Sequence, residues 1–197
     1  SVLVKKDDPL GTDSLKIFSN KLDILYGDIR DNSVARIVKG KEFIFHLAAI
    51  TQVIYSIKNP LETFDVNLNG TINLLEQIRK NNNETSLILA STDKVYGEPK
   101  YLPIDEEHPL LGKSPYDASK IAADRAAYVY FSTYSLPVSI IRCSNIYGGR
   151  DSNGLRAIPD FITSIINNQP PVIRGNGEHK RDYLFIADAV EAYLKIA

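Results

Sequence analysis

The run Phe43-Ile44-Phe45-His46-Leu47-Ala48-Ala49 is apolar at every position except its histidine. A continuous apolar run, as opposed to an alternating one, fits a parallel strand covered on both faces. Such a strand needs helices above and below it, and the neighbouring sequence supplies them. Short β-type segments at Ser1–Lys5, Lys21–Tyr26, Ser86–Ala90 and Val138–Arg142 alternate with helical patterns. One helical pattern runs through Val34, Ile37 and Val38. Another starts at Asn59-Pro60 and places Phe64, Leu68, Ile72, Leu75 and Ile78 near helical spacing. Tyr116–Tyr134 reads as a long helix, and a further helix is expected from Ile158 to Asn168, ended by Pro170-Pro171. Strands separated by helices, with polar residues gathered at strand carboxyl ends, predict a doubly wound parallel α/β sheet. Right-handed crossovers then bring those carboxyl ends to one crevice.

Local signals refine the pattern. Asp31 or Asn32 is placed to cap the short helix that Gly40 stops. Polar residues around Asp7-Asp8-Pro9 and Gly11 read as a linker, and Lys80-Asn81-Asn82-Asn83 as a turn. Val172-Ile173, Gly175-Asn176-Gly177 and Tyr183–Ile186 predict a small hairpin or loop pair. Alanines at positions 118, 122, 123, 126 and 127 give the Tyr116–Tyr134 helix a face that allows close approach, under a sheet or across a dimer interface.

Lys+Arg of 23 against Asp+Glu of 24 leaves a net charge of −1, which argues against a general nucleic-acid binder. The single cysteine, Cys143, excludes an internal disulfide framework and fits a reducing cytoplasm. It has no His or ligand partner at useful spacing, so neither a thiol nucleophile nor a zinc site is expected. No run approaches the ~18 apolar residues of a membrane span, and no signal segment opens the chain. A soluble cytoplasmic protein is the expectation, with no membrane partner. The chain lacks methionine, Ser1-Val2-Leu3-Val4 reads as a strand already under way, and Ala187–Ala197 reads as a helix without a stop signal. A piece of a longer protein is therefore expected.

The chemistry concentrates between Ser91 and Lys120. Ser91-Thr92-Asp93-Lys94-Val95-Tyr96-Gly97 follows the apolar run Leu87-Ile88-Leu89-Ala90, and Tyr116-Asp117-Ala118-Ser119-Lys120 opens the long helix. The Pro- and Gly-rich loop from Asp93 to Pro115 joins the two, and loops this long inside a compact domain are usually functional. Lys120 lies four residues after Tyr116, on the same helix face. A nearby ammonium favours a phenolate, and Thr92 can hydrogen-bond the oxygen that such a phenolate deprotonates.

Taken together, the motifs resemble the extended short-chain dehydrogenase/reductase family, in particular its nucleotide-sugar epimerases and dehydratases. They are Gly27-Asp28-Ile29, His46-Leu47-Ala48-Ala49, Asn67-x-x-Gly70-Thr71, Ser91-Thr92-Asp93, Val95-Tyr96-Gly97, Tyr116-x-x-x-Lys120, Arg142-x-x-Asn145-x-Tyr147-Gly148 and Arg181-Asp182-Tyr183. They occur in family order over nearly the whole chain. The resemblance implies a Rossmann-like dinucleotide-binding domain over 1–150 and the start of a sugar-nucleotide lobe over 151–197, returning to the core. It also implies truncation at the N-terminal glycine-rich turn, which cradles pyrophosphate, and in the C-terminal substrate lobe. By that reading residues 1–197 alone are expected to be inactive.

Thr92-Asp93-Lys94, Asn145-Ile146-Tyr147-Gly148-Gly149, Pro171-Val172-Ile173-Arg174 and Lys180-Arg181-Asp182-Tyr183 are most similar to the CDP-glucose 4,6-dehydratases within that family. The resemblance then implies Tyr116 as the base at the sugar 4-hydroxyl, with Lys120 and Thr92 beside it, and Asp93 as the acid that protonates the departing 6-hydroxyl. Lys94 stands where dTDP-glucose enzymes carry a glutamate base, and it acts either as a desolvated neutral amine or by electrostatics on the forming enolate. Asp28, Ile29, Ala48, Ala49 and Cys143 are implied at the cofactor, together with Tyr116 and Lys120. Thr51, Asn145, Arg156, Arg174 and Arg181 are implied at the sugar nucleotide, where a planar guanidinium suits phosphate. NAD is the expected cofactor, with NADP left open because Lys5-Lys6-Asp7-Asp8 offers both an acid and a base. A homodimer through helices 60–80 and 116–134 is implied as well.

Each residue also has a plainer role open to it. Asp93 can be a turn residue, Asp28 a helix cap, Thr51 a capping threonine, and Arg156 and Arg174 surface charge. His46 is expected to be a satisfied core histidine, and His108 and His179 to be solvated. The alternatives to a dehydratase are a nucleotide-sugar 4-epimerase and a non-catalytic cofactor-binding domain.

Overall fold

The computed structural model describes residues 1–5, 15, 18, 20–81, 84–151, 153–173, 175–178 and 180–197. The chain forms two compact units, Ser1–Arg142 with Ala197, and Cys143–Ile196. The expected linker around Asp7–Gly11 and the turn at Asn82-Asn83 lie outside the described residues.

In the first unit β1 (Val2–Val4) pairs in parallel with β2 (Ile24–Tyr26), Leu3 opposite Leu25. Helix α1 (Val34–Val38) follows, and Gly40 ends it at φ +70°. Neither expected residue caps α1: Ser33 stands at the N-cap without a side-chain bond, and Asp31 instead accepts from the Asp28 N–H. A second parallel sheet has the order β3 (Phe43–His46), β4 (Ser86–Ala90), β5 (Val138–Ile141). Ile44 faces Leu87 and Leu89 faces Ile140 in its ladders.

The strand covered on both faces is β4. Leu87 and Ile88 are 0% exposed, so truncating either to alanine removes transfer energy and leaves a cavity, at a cost of about 2–5 kcal/mol. The Phe43–Ala49 run departs from expectation, because Phe43 is 46% and Phe45 40% exposed. Its strand is the edge of the three-stranded sheet, and one face stays open among the described residues.

Between β3 and β4 lie α2 (Val53–Lys58), α3 (Pro60–Phe64), a π-helical segment (Asp65–Asn69) and α4 (Gly70–Asn81). Pro60 takes the first helical position, where a missing N–H costs nothing. Leu74, Leu75 and Ile78 bury the inner face of α4 against Val34, Val38 and Leu87. Helix α5 (Pro115–Tyr134) begins at a capping box in which the Ser114 hydroxyl accepts from the Asp117 N–H and the Asp117 carboxylate from the Ser114 N–H. It ends on Ser135 in the left-handed region, at φ 56°.

In the second unit β6 (Asn145–Tyr147) pairs with β7 (Tyr183–Phe185), and α6 (Ala157–Ile166) and α7 (Ile186–Ile196) accompany them. Of the small hairpin or loop pair expected at Val172–Ile186, the hairpin is not seen among the described residues. Val172 and Ile173 make no strand, and β7 instead runs parallel to β6. The backbone N–H and Nδ2 of Asn145 both donate to the Asp182 carbonyl, which fixes that pairing from its first residue. Among the described residues no helix is long and apolar enough to cross a membrane, and no group of three or more His, Cys, Asp or Glu could hold a metal.

Candidate active site

Ala90 closes β4, and the chain turns at once into a 3-10 segment, Asp93–Tyr96. Thr92 caps it, its Oγ1 accepting from the Lys94 N–H at 3.3 Å while donating to Asp93 Oδ1 at 3.1 Å. Lys94 Nζ reaches both oxygens of Asp93 at 2.9 Å. Gly97 then reverses the chain at φ +66°, and a Cβ there would lie 2.5 Å from the Leu111 carbonyl oxygen. That turn folds the Pro-rich loop back beside the segment, with the Gly112 N–H donating to the Val95 carbonyl.

Tyr116 and Lys120 stand on the first turns of α5 and are buried. The Tyr116 N–H donates to Ser56 Oγ on α2, and the Tyr116 carbonyl accepts from Ser119 Oγ. Lys120 Nζ donates to the Ala90 carbonyl at 2.5 Å. Burial pulls its ammonium down to about 8, against the opposing attraction of Asp124.

Several residues that hold this arrangement carried no assigned role in the sequence. Asn67, in the π-helical segment, accepts from the Ile50 N–H and donates to the Ile50 carbonyl and to Ser119 Oγ. It fastens the loop after β3 to α5. Asp124, four residues after Lys120, accepts from Ser91 Oγ and takes Arg142 as a fork, with Nε and Nη2 each at 2.9 Å. Arg142 Nη1 also donates to the Tyr96 hydroxyl at 2.9 Å. The spacing from Lys120 and the place of Arg142 in a motif were the only sequence signals for that pair.

His46 is buried at the end of β3, and burial with the Lys120 charge pulls its imidazole down to about 3. Its Nε2 meets Thr71 Oγ1 at 2.9 Å, and Thr71 Oγ1 donates to the Asn67 carbonyl. The Thr71 hydroxyl hydrogen is thus committed, so His46 is neutral with its proton on Nε2. This is the satisfied core histidine expected. His108 corrects the other expectation, being 2% exposed and packed on Tyr101, with Nε2 accepting from the Lys100 N–H. His179 lies outside the described residues.

At the end of β2, Asp28 Oδ1 accepts from the Arg30 N–H and Nε, and Oδ2 from Arg30 Nη2. Arg30 in turn reaches Asp65 in the π-helical segment at 2.6 Å. These bonds hold the Asp28 carboxyl down at about 2. Ile29 packs into the core, close enough to Gly70 that a Cβ there would lie 2.4 Å from Ile29 Cγ2. Ala49 and Thr51, with Ile50, Gln52 and Tyr55, line an open cleft of about 260 Å³, and Ala48 is exposed beside it in sequence.

In the second unit a comparable cleft of about 260 Å³ is lined by Ile146–Asp151, Arg156 and Ile186. Arg156 pairs with Asp151 at 3.0 Å, and the exposed Arg181 donates to the Lys180 carbonyl. Cys143 is half-buried, and burial and this thiol push the Tyr193 phenol up to about 12. Arg174 lies outside the described residues.

Residues 4–197 match the model of the GDP-mannose 4,6 dehydratase family. A Methanocaldococcus jannaschii protein that carries a provisional UDP-glucose 4-epimerase name is 37% identical over 191 residues, covering 95% of this chain and 63% of that protein. The human dTDP-D-glucose 4,6-dehydratase is 34% identical over 188 residues, covering 93% of this chain and 53% of the relative. Among solved structures, a double mutant of the Streptomyces venezuelae dTDP-glucose 4,6-dehydratase with NAD bound superposes with a TM-score of 0.90 at 29% identity, over 100% of this chain and 63% of that one. The chain thus spans under two thirds of the length of these relatives.

Proposed function

The chain belongs to the family that the GDP-mannose 4,6 dehydratase model describes, and we propose that the whole protein is a nucleotide-sugar 4,6-dehydratase of the CDP-glucose type. The observation that carries this reading is the Asp93–Lys94 pair on the turn that Thr92 caps, directly beyond the carboxyl end of β4. A simple exchange of configuration at C4 has no need of an acid and a cation there, whereas loss of water across C5 and C6 needs both a proton donor and charge stabilisation.

The residues present suit NAD. Asp28 keeps one carboxylate lone pair beyond its Arg30 bonds for an adenine amino group. Ile29 offers the base only its narrow exposed margin, since its side chain serves the core. Ala48 and Ala49 are small where a cofactor would pass, and Tyr116 and Lys120 would meet the ribose and nicotinamide side, with Cys143 near the same ring. When bound, NAD would supply an acceptor for the hydride of C4 and a donor of hydride for C6.

Tyr116 would take the proton of the 4-hydroxyl, with Thr92 orienting the same oxygen once its hydroxyl swings from Asp93. The 4-keto group acidifies the hydrogen on C5. Asp93, a carboxylate in its pair with Lys94, would take up the C5 proton and deliver it to the leaving 6-hydroxyl, so that the water lost carries that proton away. Lys94, partly exposed and ion-paired, suits electrostatic stabilisation of the enolate better than service as a desolvated neutral base. Thr51, Asn145, Arg156, Arg174 and Arg181 are proposed to receive the sugar nucleotide. A homodimer through the Pro60–Asn81 and Pro115–Tyr134 helices fits their exposed Leu61, Tyr128 and Phe131.

The test offers CDP-, dTDP-, GDP- and UDP-glucose to the full-length protein and follows the 4-keto-6-deoxy product. Formation of that product, greatest with CDP-glucose and reduced in Asp93→Asn, is the expected result. A product that keeps its 6-hydroxyl, with Asp93→Asn fully active, favours the 4-epimerase, the reading to which the Methanocaldococcus jannaschii relative's name points.

A further inference from the structure

The proposed chemistry needs two groups of residues held in register. Thr92, Asp93 and Lys94 sit on the turn after β4, while Tyr116 and Lys120 sit on α5. We infer that Arg142 and Asp124 are positioning residues that lock this turn to that helix. The inference rests on the functional reading above and adds residues to which it gives no role.

The geometry is a continuous chain of bonds across four elements. Ser91, the residue before Thr92, donates to Asp124 Oδ2 at 2.9 Å. Asp124 lies on α5, one turn beyond Lys120, and is 1% exposed. Arg142, just past β5, spans both Asp124 oxygens and sends Nη1 to the Tyr96 hydroxyl, on the last residue of the Asp93–Tyr96 segment. The same Nη1 makes a long contact of 3.4 Å to the Glu106 carbonyl, so the Pro-rich loop is gathered in as well. One guanidinium therefore ties the segment that carries Asp93 and Lys94 to the helix that carries Tyr116 and Lys120. The planar fork meets both carboxylate oxygens and the phenol from separate nitrogens, whereas a lysine would have to make every contact from a single nitrogen. Asp124 has a second effect in the same direction, since its charge opposes the pull of burial on Lys120.

A buried ion pair can also do no more than stabilise a fold. The two roles differ in what substitution does to protein that remains folded. Misplacement of a catalytic group by a fraction of a bond length lowers the rate of bound substrate without weakening its binding. Tyr96→Phe deletes a single hydroxyl from a ring that stays packed, and Arg142→Lys keeps the charge while losing the fork.

The experiment measures kcat and KM of the full-length wild type, both single variants and the double variant. The substrate is CDP-glucose, or whichever of dTDP-, GDP- and UDP-glucose the wild type turns over fastest. Thermal unfolding confirms the folded fraction. The expected result is a kcat lower by about 10-fold for Tyr96→Phe and about 100-fold for Arg142→Lys. KM should stay within about 2-fold, and the double variant should be no slower than Arg142→Lys, because the two groups act as one chain of bonds. An active wild type whose folded variants keep full kcat, or whose losses multiply in the double variant, overturns the inference alone. A wild type that turns over no sugar nucleotide removes the functional reading, and this inference with it.

Discussion

Lys120 Nζ donates to the carbonyl of Ala90 at 2.5 Å, so the ammonium one helical turn after Tyr116 is tied to the last residue of β4. The bond sets the strand end and the helix at a fixed separation, and it holds a charge where water is nearly excluded. Burial pulls Lys120 from 10.5 to about 8. The unfolded chain keeps its lysine proton to the higher value, so between pH 8 and 10.5 it binds more protons and stability rises with pH. Below pH 8 both states are protonated and the burial penalty is constant. Denaturant unfolding of Lys120→Met should therefore gain on wild type at pH 7 relative to pH 10, by about 2–3 kcal/mol. Turnover should fall by about 100-fold or more. An equal stability difference at both pH values would contradict the buried charge.

A second titration belongs to His46. Its folded imidazole lies at about 3, while the unfolded one protonates at the ordinary 6.5. As pH falls below 6.5 the unfolded state takes up a proton that the folded state refuses, and stability is lost down to about 3. The paired carboxylates Asp28 and Glu76, both held at about 2, have ordinary values of 3.8 and 4.5 and begin to take up protons in the unfolded chain about one unit above them. The interval from pH 6.5 down to about 5.5 therefore isolates the histidine. Stability of His46→Gln, which keeps a donor toward Thr71, should be nearly flat across that interval while wild type declines. Parallel curves for the two proteins would refute the assignment.

The alternation of strands and helices was legible because burial leaves a period in the sequence. The stop at Gly40 expresses local chemistry of the same kind. What could not be read were relations between distant residues. Whether Val172–Ile173 or Asn145–Tyr147 partners β7 depends on a parallel pairing closed by the Asp182 carbonyl, and no turn signal encodes that. His108 is polar and lies in a loop, yet Tyr96 and Tyr101 enclose it. Among the candidate site residues, Thr92, Tyr116 and Lys120 are proposed from their placement in the sequence and Asp93 from the family resemblance. Asn67, Asp124 and Arg142 act through long-range bonds, and their spacing gave no role to read.

The Asp93–Lys94 ion pair should separate activity from stability. Its side chains are 28% and 36% exposed, so the pair contributes no more than about 1 kcal/mol to folding. Lys94→Met should leave Tm nearly unchanged and slow the loss of water by more than about 10-fold. Dehydration at the full rate in that variant would exclude both a base role and an electrostatic role for Lys94.

Gly70 gives a case in which two physical effects predict opposite signs. Replacing a helical glycine by alanine normally gains about 1 kcal/mol of helix propensity. Here the added Cβ would lie 2.4 Å from Ile29 Cγ2, and Ile29 is anchored in the core with Val34 and Leu74. Overpacking at a fixed neighbour costs about 1–3 kcal/mol, so Gly70→Ala should destabilise. Ile29→Ala costs stability in its own right by leaving a cavity, but in the presence of Gly70→Ala it also removes the clash. The double variant should thus be more stable than the sum of the two losses predicts, by at least about 0.5 kcal/mol in a double-mutant cycle. Because Ile29 adjoins Asp28, displacement of its side chain should also raise the Kd for NAD in the full-length protein. Additive losses with an unchanged Kd would mean that the helix yields at Gly70 and leaves the end of β2 undisturbed.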